Sequence, residues 1–170
     1  QVLLIDYKLF KKSESLKLDI HPYLLKEYNN RWFLLGWNEQ YENFSILALD
    51  RIQDIQKLTD RFIPDHKERL LKLLQHIIGV SIPENTTIEK IKIEVMDPTV
   101  PYFQTKPIHP SQELENQGEL SSIFSFQLIP NYELEQLLLS FGENVKVLEP
   151  GYFREQMKAR AEKLQNRYNG

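Results

Sequence analysis

The feature that most limits the fold is a pair of asparagines, Asn29-Asn30, set between two runs rich in apolar and aromatic residues. Asparagine tolerates positive φ better than most residues, so the pair predicts a two-residue hairpin turn. Tyr23 to Tyr28 and Arg31 to Trp37 are then its strands. Val2 to Tyr7 reads as an earlier short strand, and Lys11 to Ser15 as a polar turn. Leu16-Lys17-Leu18-Asp19-Ile20 alternates strictly, the mark of a strand with one buried face. Pro22 cannot donate to a ladder, so a break or bend is expected there, with Tyr23 to Tyr28 continuing as an edge-like strand. Asn38 to Asn43 is the next turn and Phe44 to Leu49 a fourth strand, which Asp50-Arg51-Ile52 and Ile55 continue or close. Four or five short strands with tight turns over residues 1–60 predict a small barrel.

The period then changes. Leu70, Leu71, Leu74, Ile77 and Ile78 recur at helical spacing, with Pro64-Asp65 as a start and Gly79 as a C-cap. Residues 61–86 therefore read as a helical connector between two lobes. Beyond it, Ile88, Ile91, Ile93 and Val95 mark a strand. Asp97 to Pro110 is proline-rich and irregular, and Asn116 to Glu119 a turn. Ile123, Phe124, Phe126 and Leu128 mark another strand. Leu134, Leu137, Leu138 and Phe141 share a helical face ahead of Gly142. Val145 to Leu148 is a strand, and Tyr152 to Tyr168 a last, charge-rich helix. This order over residues 87–170 predicts an α+β lobe of ferredoxin-like type. The expected fold class is mixed: β first, then α+β.

Composition excludes several functions. A chain of 170 residues makes one ordinary domain or two small ones. With no cysteine, it has no disulfide scaffold, thiolate metal site or cysteine nucleophile. A formal charge of −3 argues against a domain that coats nucleic acid over its whole surface. No apolar run approaches the roughly 20 residues needed to span a bilayer. Gln1 does not open a signal peptide, so the chain is expected to begin in mid-protein and to work in the cytoplasm.

No GxGxxG, GxxxxGKS, HExxH or GxSxG motif can be written. His66 and His76 stand ten residues apart, which is not ligand spacing on a helix. An enzyme, a metal site and a cofactor are therefore not expected. His21, before Pro22, either packs internally or lines a groove of the barrel.

The stretch His21 to Gly36 resembles the core of a WYL domain, a family named for a Trp-Tyr-Leu tripeptide that here reads Trp32-Phe33-Leu34. The family's proline, its N-x-R-W-Y-L-x-G run and a later L-D-R-I all have counterparts, the last in Leu49-Asp50-Arg51-Ile52. Farther on, Asn131 to Gly142 and Val145 to Pro150, followed by a charged helix, are similar to the extension that often follows WYL domains. The resemblance implies an Sm/SH3-like barrel and a bacterial transcriptional regulator that senses a nucleotide or nucleic-acid ligand, expected as a homodimer. Such regulators carry a helix-turn-helix that reads DNA. Nothing here reads as one, so DNA contact is expected through a domain outside this chain. Two positions depart from the family. Phe33 lacks the tyrosine hydroxyl, and Asn43 to Ile46 lacks an arginine found there in many members.

Side chains alternate along a strand, so Trp32 and Leu34 share one face and Arg31, Phe33 and Leu35 the other. Trp32 and Leu34 are expected in the core. Arg31 and Phe33 are then left to a ligand, the ring stacking on a base and the guanidinium pairing with a phosphate. Lys26, Tyr28 and His21 join them across the hairpin, and Arg51 if its strand pairs alongside. Alternatively, Arg31 simply pairs with Glu27 or Asp50, or Phe33 is core with the faces reversed. Lys8, Lys11, Lys12 and Lys17 form either a solvated loop or a phosphate-steering patch. The last helix carries five cations against Glu155 and Glu162, either as a solvated face or as a contact to DNA or a second protomer. The expected ligand is a nucleotide or short single-stranded nucleic acid, because residues 1–60 hold eight basic and nine acidic groups and no strong polyanion field. The competing expectation is a protein–protein assembly module without ligand or catalysis.

Overall fold

Strand β2 (Ser15–Tyr28) organises the N-terminal half. It lies between β1 (Leu3–Lys8) and β3 (Arg31–Asn38), and β4 (Asn43–Ala48) and β5 (Ile52–Lys57) complete an antiparallel sheet in the order β4-β3-β2-β1-β5. The computed structural model describes residues 1–10 and 15–169. The chain divides into two units, residues 1–75 and 76–170.

The strict alternation at residues 16–20 does bury one face: Leu18 and Ile20 are inside, while Lys17 and Asp19 face solvent. They meet Ile5, Tyr7, Leu34 and Leu47 in the core of the first unit. The Asn29-Asn30 turn forms with φ of 50° and 60°, as two-residue hairpins require. The Glu27 carboxylate accepts the Asn30 N–H at 2.9 Å and steadies it.

Three expectations for this unit are corrected. The first concerns Pro22, which does not break β2 or leave it at an edge: the strand runs through and is central. A register shift between Pro22 and Leu24 accommodates the missing donor as a bulge. Gly36 stands opposite Pro22. A Cβ there would lie 2.4 Å from the His21 carbonyl oxygen and 2.7 Å from Ile20 Cγ2, so only glycine lets the two strands approach. The second concerns the barrel. Leu49–Arg51 coil into a short 3-10 turn that carries the chain from one edge strand to the other, and no ladder joins β4 to β5 among the described residues. The sheet is therefore open.

The third concerns Trp32, which is 53% exposed although Leu34 on its face is buried. Trp32 lies at the hairpin end, opposite Glu27, beyond the reach of the core. Leu35 and Trp37, on the other face, are buried instead. Residues 61–66 pack against this part of the sheet: the His66 ring stacks on Trp37 with centroids 3.8 Å apart, and Phe62 packs on His21 and Tyr23. Tyr23 donates its hydroxyl to the Ile63 carbonyl at 2.8 Å, and the Ile63 N–H donates to His21 Nδ1 at 3.0 Å.

The helix α1 (Lys67–Leu74) stops short of the expected C-cap. Gly79 lies beyond it with φ +76°, and a Cβ there would meet the Glu133 side chain at 2.6 Å. Ile77 and Ile78 are buried, but in irregular backbone, so their spacing extended the helix falsely.

The second unit runs β6 (Glu89–Met96), α2 (Val100–Thr105), β7 (Glu113–Gln117), β8 (Ser121–Leu128), α3 (Tyr132–Leu139), β9 (Val145–Glu149) and α4 (Gly151–Tyr168). Its antiparallel sheet has the order β7-β8-β6-β9, the split β-α-β arrangement followed by an added helix. Ile91, Ile93, Phe103, Phe124, Phe126 and Phe153 fill its core. Residues 116–117, read as part of a turn, end strand β7 instead. All five β7 residues are exposed at a sheet edge, so no alternation marks them. Asn131 caps α3 by accepting the Leu134 N–H at 2.9 Å. Among the described residues no helix is long and apolar enough to cross a membrane.

Gly36→Ala should destabilise the chain by about 2 kcal/mol or more, because backbone rather than a flexible tip must give way. Urea unfolding checks this: the midpoint should fall without a change in slope.

Candidate nucleic-acid interface

The β2–β3 register places Tyr28 opposite Arg31 and Lys26 opposite Phe33. These four expected site residues therefore share one face of the hairpin. Arg51 reaches the same region from the turn between β4 and β5. What brings the arginines together is Phe10, which the sequence reading did not single out. The Arg51 guanidinium lies 3.8 Å from the centroid of the Phe10 ring and 4.7 Å from that of Tyr7. The Arg31 guanidinium lies 5.7 Å from Phe10 and 6.0 Å from Phe33. Phe10 is 77% exposed, an unusual setting for a phenylalanine. Its one signal in the sequence was an aromatic residue immediately before a lysine pair at the end of a strand.

The two arginines differ electrostatically. Arg31 holds Asp50 in a two-bond fork, Nε to Oδ1 at 2.9 Å and Nη2 to Oδ2 at 2.6 Å. Of the two pairings open to Arg31, this is the one formed. The hydrogen bond from Arg31 holds the Asp50 carboxyl below the usual carboxylate range. The same bond raises the Arg31 pKa. Arg51 makes no direct ion pair among the described residues; its Nε donates to the Lys8 carbonyl at 2.9 Å. The backbone bond fixes one edge of the guanidinium over Phe10 and leaves its positive charge uncompensated by a contacting carboxylate.

His21 lies elsewhere. It is buried in the part of β2 covered by residues 61–66, where Nδ1 accepts from Ile63 and Nε2 faces Glu39 at 3.7 Å. It serves packing, and the exposed arginine face does not include it. Of the lysines considered for steering, Lys8 and Lys17 are exposed, whereas Lys11 and Lys12 lie outside the described residues. Among the described residues no group of three histidines and carboxylates converges to hold a metal ion. The chemistry available is flat apolar rings for stacking and fork-shaped cations for phosphate or carboxylate.

The pairing has a definite pH sign. A depressed carboxyl pKa means that the Arg31–Asp50 fork is complete above the ordinary aspartate range and is lost as pH falls through the lowered value. Carboxyl carbon NMR should find Asp50 titrating below the usual range. Arg31→Ala should bring it back up toward the ordinary value.

Comparison with known proteins finds two family matches in the chain. Residues 1–57 match the WYL domain and residues 87–165 the WCX domain. No curated protein matches the chain. Among solved structures, a CRISPR Cas-related protein is similar over 99% of this chain and 48% of its own, with 15% identity and a TM-score of 0.57. At that identity the likeness is one of fold. Proteasome accessory factor B/C of Arthrobacter aurescens aligns over 100% of this chain and 25% of its own, at 13% identity and a TM-score of 0.40. The chain thus spans less than half the length of either structure.

Proposed function

We propose, from the premise of a WYL domain at residues 1–57 followed by a WCX domain at 87–165, that the chain is the ligand-sensing part of a transcriptional regulator. Its ligand is a nucleotide or short single-stranded nucleic acid. The observation that carries this reading is the convergence of Arg31 and Arg51 on the exposed ring of Phe10. A base stacks on Phe10 or Phe33, and Arg51 pairs with the adjoining phosphate. Lys26 and Tyr28 border the site, and the five strands act as an opened version of the Sm/SH3-like barrel. DNA is contacted by a domain outside this chain, in a cytoplasmic homodimer, and ligand binding shifts the population of DNA-competent states. The chain catalyses no reaction.

Asp50 serves in this reading as an internal competitor. It occupies the Arg31 fork that a second phosphate would need. That same neutralisation favours the competing reading, an assembly module whose pocket is vestigial. The two readings give different outcomes for one substitution. Asp50→Asn frees the Arg31 charge and should tighten anion binding severalfold if the face is a ligand site. It should change nothing if the face is only structural.

Fluorescence anisotropy of labelled single-stranded DNA and RNA tests the proposal, with mono- and cyclic nucleotides as competitors at two salt concentrations. Saturable, salt-sensitive binding is expected, with at least a tenfold loss in Arg51→Ala and a smaller loss in Arg31→Ala, both checked for folding by circular dichroism. No binding of any of these at high protein concentration would move the assignment to the assembly module.

A further inference from the structure

The second unit carries a separate cleft of about 340 Å³, open between the end of α3, strand β9 and the first turns of α4. Its floor is apolar. Leu138 and Val147 are buried there, and Val145, Met157 and Ala161 extend the surface toward solvent. Gly142 lies on its edge, and nothing stands within 4 Å of the place a Cβ would occupy there. The rim is cationic. Lys146, Arg154 and Lys158 surround the cleft against one carboxylate, Glu155.

These cations are weakly engaged. Lys146 lies 3.9 Å from Glu94, and Arg154 Nε 3.5 Å from Glu155. Lys158 has no hydrogen bond or ion pair among the described residues, and it follows Arg154 by one helical turn on the same face of α4. A solvated helix face would present such charges over polar neighbours. Here they border the apolar side chains that line the cleft instead. Both features are met by one kind of molecule, an anion with an apolar tail.

We propose that this cleft binds a small amphiphilic carboxylate, with the hydrocarbon chain on the Leu138–Val147–Met157 floor and the carboxylate between Arg154 and Lys158. The volume falls within the range of small-ligand pockets. The arginine fork gives the head group its direction, and the apolar floor supplies most of the binding free energy. This site is independent of the arginine face on the WYL domain and gives the second domain an input of its own.

Isothermal titration calorimetry of the full chain with sodium decanoate, kept below its micellar concentration, tests this. One saturable site is expected, with acetate and decyltrimethylammonium binding at least tenfold more weakly. The first comparison tests the tail and the second the charge. The double variant Arg154→Ala/Lys158→Ala should lose at least tenfold in decanoate affinity. Ala161→Trp, which fills the cleft from an exposed position, should abolish binding while circular dichroism stays unchanged. Absence of saturable binding, equal binding of the cationic analogue, or full affinity in both variants would overturn the proposal. Sedimentation with phosphatidylglycerol vesicles in the absence of decanoate binding would overturn it too, in favour of a membrane surface.

Discussion

The register between β2 and β3 is the constraint on which the rest of the first unit depends. It is pinned at one end by the Asn29-Asn30 turn, whose positive φ angles suit few other residues. At the other end, Gly36 lets β3 lie against the His21 carbonyl. Side chains alternate across a strand, so a slip of one residue would exchange the faces of Arg31 and Phe33 with those of Trp32 and Leu34. With the register held, Arg31 and Phe33 point away from the core, and Leu34 points into it. The bulge after Pro22 works in the same direction, because it lets a proline occupy a central strand without ending it.

Two kinds of contact then divide the outer face of the hairpin. Near the strand ends that meet residues 61–66, Trp37, His21 and Tyr23 are covered by His66, Phe62 and Ile63. Near the turn no comparable aromatic cover is made among the described residues, and the arginines share Phe10. A covered end next to an open, cationic end holds the arginine face on a packed support while leaving its side chains accessible. The Asp50 fork tempers that face. It restrains Arg31 and limits the net attraction for long polyanions, in keeping with a domain whose overall charge is not basic.

Much of this was legible in the sequence, and the failures have physical causes. The strands and the hairpin turn followed from alternation and from asparagine's tolerance of positive φ. The WYL match agrees with the resemblance read from His21 to Gly36 and Leu49 to Ile52, and the WCX match with the extension read from Asn131 to Gly142 and Val145 to Pro150. Trp32 was misplaced because alternation assigns a face but not the distance from the end of the sheet. Strand β7 was missed because an edge strand exposed throughout carries no hydrophobic period. The helix α1 was overextended because Ile77 and Ile78 fit its spacing while being buried by other contacts. Phe10 was overlooked for a related reason: its role rests on guanidinium groups from Arg31 and Arg51, contacts that span the sheet and leave no local pattern.

The central claim is that the Arg31–Arg51–Phe10 face is where a nucleotide ligand meets this chain. Titrating the isotope-labelled chain with a short single-stranded oligonucleotide, and following backbone amide and arginine side-chain NMR signals, locates the contact directly. The account predicts saturable shifts concentrated at Phe10, Arg31, Phe33 and Arg51, with the buried His21 and Trp37 region unmoved. Shifts confined to other surfaces, or none at millimolar ligand, would contradict it.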